Sequence, residues 1–318
     1  MEYKTTTAND GTTLAYQTSQ HPSSNPAPNT PTQCILLLHG FSGSSQYFTR
    51  NYPSLISSGS WILATDMRGH GRSAHTPQGY HVARLAMDLH DFISTVIRGS
   101  ERGEKVQIYA VGCSIGAAVL WTYVELFTDS AFAGLVFVDQ APLQDRSLFG
   151  GWGAGLAHYA CYDEASMLAA QRAWASEDQE VREETYKGLV NDCLGYRYKP
   201  LSGDDVSEEQ RKEDEDFFTS ISRNCDGIWL AKLLADHTRY DHREALSLIS
   251  KPIMVMMGRR SGCFSVEAQR AIGRLYQEGS GKEARMVEFE SGHWLFWEEP
   301  EKFNKELLDW TFQKSAEV

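Results

Sequence analysis

Two kinds of hydrophobic segment alternate along this chain. Short, continuous runs of aliphatic and β-branched residues are separated by longer stretches whose apolar positions recur at helical spacing. A short run that is apolar at nearly every position suits a strand covered on both faces. On that basis strands are expected at Cys34–His39, Trp61–Thr65, Val106–Val111, Gly134–Asp139, Pro252–Gly258 and Ala284–Glu290. Ahead of them, Glu2–Thr7 and Thr12–Thr18 flank Asn9-Asp10-Gly11, a hairpin signal. Helices are expected at Val82–Ile97, Ser114–Leu126, Ser265–Glu278 and Pro300–Phe312. Strand–helix alternation of this kind requires a parallel sheet with helices on both faces, so the fold class is α/β. The Pro-, Ser- and Asn-rich stretch Gln20–Thr32 reads as a surface loop.

The alternation stops after Pro142 and resumes near Lys251. The residues between have helical composition and many aromatics, including Trp152, Trp174 and Trp229. They also include Ser207–Asp216, a charged run whose simplest reading is a solvated helix face. The expected organisation is therefore a core over residues 1–143, a helical cap insertion over 144–245, and the rest of the core over 246–318.

Composition narrows the partners more than the fold. A chain of 318 residues can bury a sizeable core, and 42% hydrophobic with 23% charged residues is ordinary for a globular protein. The formal charge of −12 argues against nucleic acid or an anionic membrane, since both need a positive surface. The N-terminus carries no signal-peptide-like stretch, and runs such as Cys34–Leu38 and Ile253–Met257 are too short to span a bilayer. The final Ser-Ala-Glu-Val matches no anchoring or retention signal, so a cytoplasmic location is the default expectation. Cysteines 34, 113, 161, 193, 225 and 263 are scattered without Cys-x-x-Cys spacing. They read as reduced, buried residues, with no disulfide framework, no metal site and no cofactor. Nothing in the pattern sets an oligomeric state.

Three segments carry chemistry. Gly112-Cys113-Ser114-Ile115-Gly116 follows an expected strand and opens an expected helix. A bare G-x-S-x-G is weak evidence, but strand before and helix after make it specific. A serine on that sharp turn needs small neighbours, which Gly112 and Gly116 supply, and it lies beside a helix N-terminus that favours developing negative charge. Cys113, between the glycines, is a rival nucleophile on paper, but the turn aims it elsewhere. Leu36-Leu37-Leu38-His39-Gly40-Phe41-Ser42-Gly43 ends a strand at a flexible turn. There the N–H of Phe41 could pair with that of Ile115 to hold an oxyanion. His39, at the strand end, reads as a loop-orienting residue. Glu290-Ser291-Gly292-His293-Trp294 follows the last core strand. Serine needs a base at neutral pH, and of ten histidines only His293 comes late on a loop directly after a core strand. His158, His237 and His242 fall in the cap, and His75 and His81 in a polar loop, where surface or lid positions are expected.

Taken with Asp66-Met67-Arg68-Gly69-His70-Gly71-Arg72-Ser73, these segments occur in the order and spacing of the α/β-hydrolase superfamily, and the chain resembles it from about Lys4 to Trp310 outside the cap. The resemblance implies a mostly parallel eight-stranded sheet with flanking helices, a cap over the strand C-terminal edge, and a nucleophile–acid–histidine triad. It also implies that Asp66 organises a loop. One departure matters. Most members carry the triad acid in a Gly-x-x-Asp pattern, whereas this chain has Gly258-Arg259-Arg260-Ser261. Zearalenone-lactonase-like and some haloalkane-dehalogenase-like members place the acid at the preceding strand end, which here is Asp139. Glu267, or no acid, are the alternatives.

The expected activity is serine hydrolysis of an ester or lactone of a small, largely apolar molecule, with catalytic Ser114, Asp139 and His293. A haloalkane dehalogenase would need a carboxylate on the elbow, which Ser114 excludes. C–C bond hydrolysis or cyclase chemistry would use the same residues. A non-catalytic ligand-binding protein is the alternative of another class, and tight binding without turnover would reveal it.

Overall fold

The computed structural model describes residues 1–21, 32–100, 103–147, 149 and 151–316. Most of the expected loop at Gln20–Thr32 (residues 22–31) lies outside them. The strands are β1 (Glu2–Thr7), β2 (Thr13–Thr18), β3 (Thr32–Leu38), β4 (Trp61–Thr65), β5 (Val106–Cys113), β6 (Gly134–Val138), β7 (Ile253–Gly258) and β8 (Arg285–Phe289). They form one sheet in the order β1-β2-β4-β3-β5-β6-β7-β8. β1–β2 and β2–β4 are antiparallel, and every later pairing is parallel.

Alternate residues of the central strands feed two cores, one on each face. Cys34, Leu36 and Leu38 of β3 join Ile108 and Ala110 of β5 on one side. Ile35 and Leu37 join Tyr109, Val111 and Cys113 on the other. This is the period-two consequence of a sheet covered twice, and it explains why the strands are apolar throughout.

The helices are α1 (Tyr52–Ser57), α2 (Val82–Phe92), α3 (Ile115–Phe127), α4 (Glu164–Trp174), α5 (Gln179–Cys193), α6 (Gly195–Tyr198), α7 (Glu208–Arg223), α8 (Gly227–Arg239), α9 (Arg243–Leu248), α10 (Val266–Ser280), α11 (Leu295–Glu298) and α12 (Pro300–Ala316). Two expectations need correction. The helix expected over Val82–Ile97 changes form at Ile93, where the Arg98 N–H bonds the Ile93 carbonyl five residues back. That wide turn keeps Ile93 and Ile97 both in the core. The charged run Ser207–Asp216 is not wholly solvated, because Asp214 of α7 is buried. Its carboxylate accepts from Arg50, the Tyr196 hydroxyl and the Trp297 indole, which satisfies the charge. Helices α4 to α9 all fall between β6 and β7. No helix among the described residues is long and apolar enough to cross a membrane.

Register sets where chemistry can occur. Leu38 pairs with Gly112, Cys113 with Val138, and Gly258 with Phe289, so these strands end on one edge. The chain leaves β3 for β4 on one side and returns to β5 on the other. That reversal opens a crevice at the carboxyl ends of β3 and β5.

Candidate active site

Ser114 alone separates β5 from α3, and its backbone is held at φ 54°, ψ −124°. A non-glycine residue there costs on the order of 1–3 kcal/mol, which the surrounding packing must hold. The packing is tight: a Cβ on Gly116 would lie 2.7 Å from the Leu38 carbonyl, and one on Gly112 2.5 Å from the Ala117 nitrogen. The Ser114 N–H bonds the Val138 carbonyl at 2.9 Å. Its hydroxyl donates to Oε1 of Gln140, 3.5 Å away. Ile115 is the first residue of α3, so its N–H has no carbonyl one turn back to bond. Cys113 points into the core on the opposite side, and burial pushes its thiol well above the usual range. The turn thus aims it elsewhere, as its place between the glycines led one to expect.

His293 follows β8 and is buried. Its Nδ1 lies 2.8 Å from Oδ1 of Asp139, the residue just past β6. Asp139 is wholly buried at φ 43° and receives three further hydrogen bonds. Ser261 donates to Oδ1 at 2.8 Å, while the Gly258 N–H and the Gln269 amide donate to Oδ2 at 2.7 and 3.1 Å. Burial raises the carboxyl above its ordinary value, and His293 with the Gly258 and Ser261 hydrogen bonds opposes it. Burial would lower the imidazole, but Cys263 and the Asp139 carboxylate beside it outweigh that and raise it.

The other charged and imidazole groups near the strand ends have other partners. Glu267 is exposed on α10 and pairs with Arg274 at 2.8 Å. Arg259 pairs with Glu288 and Glu290, each at 2.7 Å. Ser261, standing where most relatives would have the acid, is instead a donor to the acid. His39 is wholly buried, contacts the Gly40 carbonyl through Nδ1 (2.7 Å) and accepts the Met67 N–H at Nε2 (3.0 Å). Burial lowers its pKa to about 4, so it stays neutral and ties two loops together. Asp66 accepts the N–H groups of Ser45 and Arg72 (2.7 and 2.8 Å), as expected of a loop organiser.

Ser114, His293, Gly40 and Phe41 share the wall of a cavity of about 290 Å³, a size that holds a small molecule. A more open depression of about 990 Å³ over β1 and β2 carries neither Ser114 nor His293 on its wall. The three tryptophans named between Pro142 and Lys251 separate. Trp174 lines it and meets the Phe41 ring edge-on at 5.1 Å. Trp152 donates to the Leu143 carbonyl inside the core, and Trp229 packs over Gly69 and His70. His237 is not at the surface: it lines the cavity beside Gln144, and His242 is buried too. Sequence reasoning missed Gln140, Gln269 and Glu298. Glu298 accepts N–H groups from Gly292 (2.7 Å) and Gly195 (2.9 Å), tying the His293 loop to the start of α6. None belongs to a motif. Gln140 alone had a hint, its place directly after Asp139.

A model of the alpha/beta hydrolase family matches residues 35–306. Epoxide hydrolase B of Mycobacterium tuberculosis is 28% identical over 165 residues, which are 51% of this chain and 44% of that protein. The match thus spans less than half that relative's length. Among solved structures, an esterase from Exiguobacterium antarcticum superposes with a TM-score of 0.77 at 19% identity, covering 96% of this chain and 98% of that one. The enol-lactonase from Burkholderia xenovorans LB400 gives 0.72 at 15% identity, covering 97% and 100%. At such identities the likeness is one of fold. The family match extends from β3 into α12 and takes in the elbow, the strand ends and the histidine loop, so the chain belongs to the alpha/beta hydrolase family.

Proposed function

We propose that the protein is a serine hydrolase that cleaves an ester or lactone of a small, largely apolar molecule through an acyl-enzyme. The observation that carries this reading is the 2.8 Å contact between Asp139 Oδ1 and His293 Nδ1, on the sheet edge that also holds the strained Ser114. A carboxylate at Nδ1 keeps the proton there and leaves the Nε2 lone pair free for the serine proton.

The Ser114 hydroxyl must first turn from Gln140 toward His293, as catalytic hydrogen bonds often tighten only when substrate is bound. His293 then takes its proton as Oγ attacks the carbonyl carbon, and the N–H groups of Phe41 and Ile115 hold the oxyanion. Collapse expels the alcohol, which leaves with the proton from His293. Water, deprotonated by the same imidazole, then attacks the acyl-enzyme and returns Ser114. In a lactone the leaving hydroxyl stays attached to the acyl part. The helices α4 to α9 act as a cap that selects substrate, with Trp174, Leu189 and Leu234 supplying apolar wall. Epoxide opening, suggested by the curated relative's name, does not suit Ser114. Serine attack on an epoxide carbon gives an ether, with no carbonyl for His293-activated water to attack.

Intact-mass analysis with a fluorophosphonate tests the reading. One adduct should form on the wild type and none on Ser114→Ala, whose kcat should fall by as much as ~10⁶. Labelling that persists, or moves to Cys113, would overturn it.

A further inference from the structure

The cavity wall carries two thiols for which the proposed reaction has no use. Cys193 ends α5 and Cys263 follows β7, and both are buried, 1% and 5% exposed. Their sulfur atoms are 4.0 Å apart. With a ring nitrogen of His293, the three donor atoms all lie within 4.8 Å of one another. Backbone contacts bring them together. The Trp294 N–H bonds the Cys193 carbonyl at 3.1 Å, and the Gly262 N–H bonds the Asp192 carbonyl at 2.9 Å. The histidine loop packs so closely on the end of α5 that a Cβ on Gly292 would lie 2.4 Å from the Cys193 oxygen.

The sulfur–sulfur separation is close to that in a coordination sphere. Two thiolates bound tetrahedrally at ~2.3 Å sit about 3.8 Å apart, so the sulfurs need to move only a few tenths of an ångström. Two thiolates and an imidazole suit a borderline-soft cation, Zn²⁺ foremost, over the hard Mg²⁺ or Ca²⁺, which take oxygen. Their fourth position would open to the cavity and take water.

We propose that Cys193, Cys263 and His293 form a site for a thiophilic divalent cation such as Zn²⁺, and that its occupancy and hydrolysis exclude one another. The second half rests on the serine-hydrolase reading above; the first does not. Binding exchanges two thiol protons, released to solvent, for two metal–sulfur bonds, and a third bond uses the histidine lone pair. A cation on Nε2 occupies the lone pair that would take the Ser114 proton. A cation on Nδ1 displaces Asp139 and leaves the wrong tautomer. Either way the base is lost while the metal stays. The separations in sequence, 193 to 263 to 293, have no metal-site spacing, so only the fold makes the cluster.

The test uses the full chain, stripped with a chelator and titrated with Co²⁺ alone, then Zn²⁺ alone. Co²⁺ should produce a thiolate-to-metal charge-transfer band at one equivalent, in the wild type and in Ser114→Ala alike. The band should be lost in Cys193→Ser and Cys263→Ser, with Zn²⁺ affinity falling by more than ~10–100-fold, the usual loss for an outer partner alone. If those variants misfold, X-ray absorption on the Zn²⁺-loaded wild type reads the ligands directly. Two sulfur neighbours at about 2.3 Å support the site, and a shell of nitrogen and oxygen only overturns it. Fluorophosphonate labelling of Ser114 should slow at least tenfold with Zn²⁺ and recover with chelator. A band without slowed labelling overturns the exclusion. No labelling even after stripping rejects the hydrolase reading and leaves the metal measurement standing.

Discussion

Replacing Asp139 by Asn isolates the acid, because the network around it dictates how the amide must sit. Oδ2 faces the Gly258 N–H, which belongs to the backbone and cannot turn away. The amide oxygen of Asn must therefore take the Oδ2 position, and the amide NH₂ must take that of Oδ1. There it meets the Ser261 hydroxyl, which can rotate to accept, and His293 Nδ1. The imidazole answers by moving its proton to Nε2, where it can no longer take the serine proton. The reverse orientation would leave a buried N–H facing an NH₂ group, at a cost of about 1–3 kcal/mol. The fold is thus kept and the tautomer lost. Such a change cost ~10⁴ in kcat in a serine protease triad, about 5–6 kcal/mol of barrier. Steady-state hydrolysis of an activated ester at neutral pH reads it, with near-ultraviolet circular dichroism as the control for folding. Glu267→Gln is the companion variant, and loss of its exposed pair with Arg274 should leave kcat within twofold. A folded Asp139→Asn within tenfold of the wild type would refute the argument, as would a Glu267→Gln that is equally slow.

Three further outcomes follow from particular contacts. Asp139→Asn combined with Ser261→Asp should regain part of the lost kcat, since Ser261 Oγ already lies 2.8 Å from the oxygen that His293 meets; a double variant no faster than the single one rejects this. Trp174→Ala should reorder substrates by kcat/KM, whereas Trp152→Ala and Trp229→Ala should mainly lower unfolding free energy, by ~3–5 kcal/mol; denaturant melts with a small ester panel separate the two. Burial raises Glu298 to about 7 from an ordinary 4.5, so the native state binds the proton more tightly than the unfolded chain does. Stability from this group should therefore fall as pH rises from about 4.5 to about 7, by at most ~3 kcal/mol. Glu298→Gln should remove that slope in urea melts, and an unchanged slope would assign it elsewhere.

What could be read from the sequence was local. Strand runs, the elbow glycines and the late histidine each depend on residues a few positions apart, where period and turn chemistry act directly on the backbone. Asp139 could be named as a candidate because Ser261 left the more usual place without a carboxylate and the resemblance to members that carry the acid at the preceding strand end pointed there. Residues that act across elements could not be read this way. Gln269 reaches Asp139 from α10, and Glu298 joins the His293 loop to the start of α6. Trp174 of α4 faces the cavity, while Trp152, in the loop ahead of α4, and Trp229 of α8 serve the core. Hydrophobicity makes all three buried, but only the tertiary packing decides which of them meets empty space. The same packing sets Cys193 against Cys263, 4.0 Å apart in space and 70 residues apart in sequence. Burial requires each thiol to be inside, and only the tertiary structure makes them neighbours of His293.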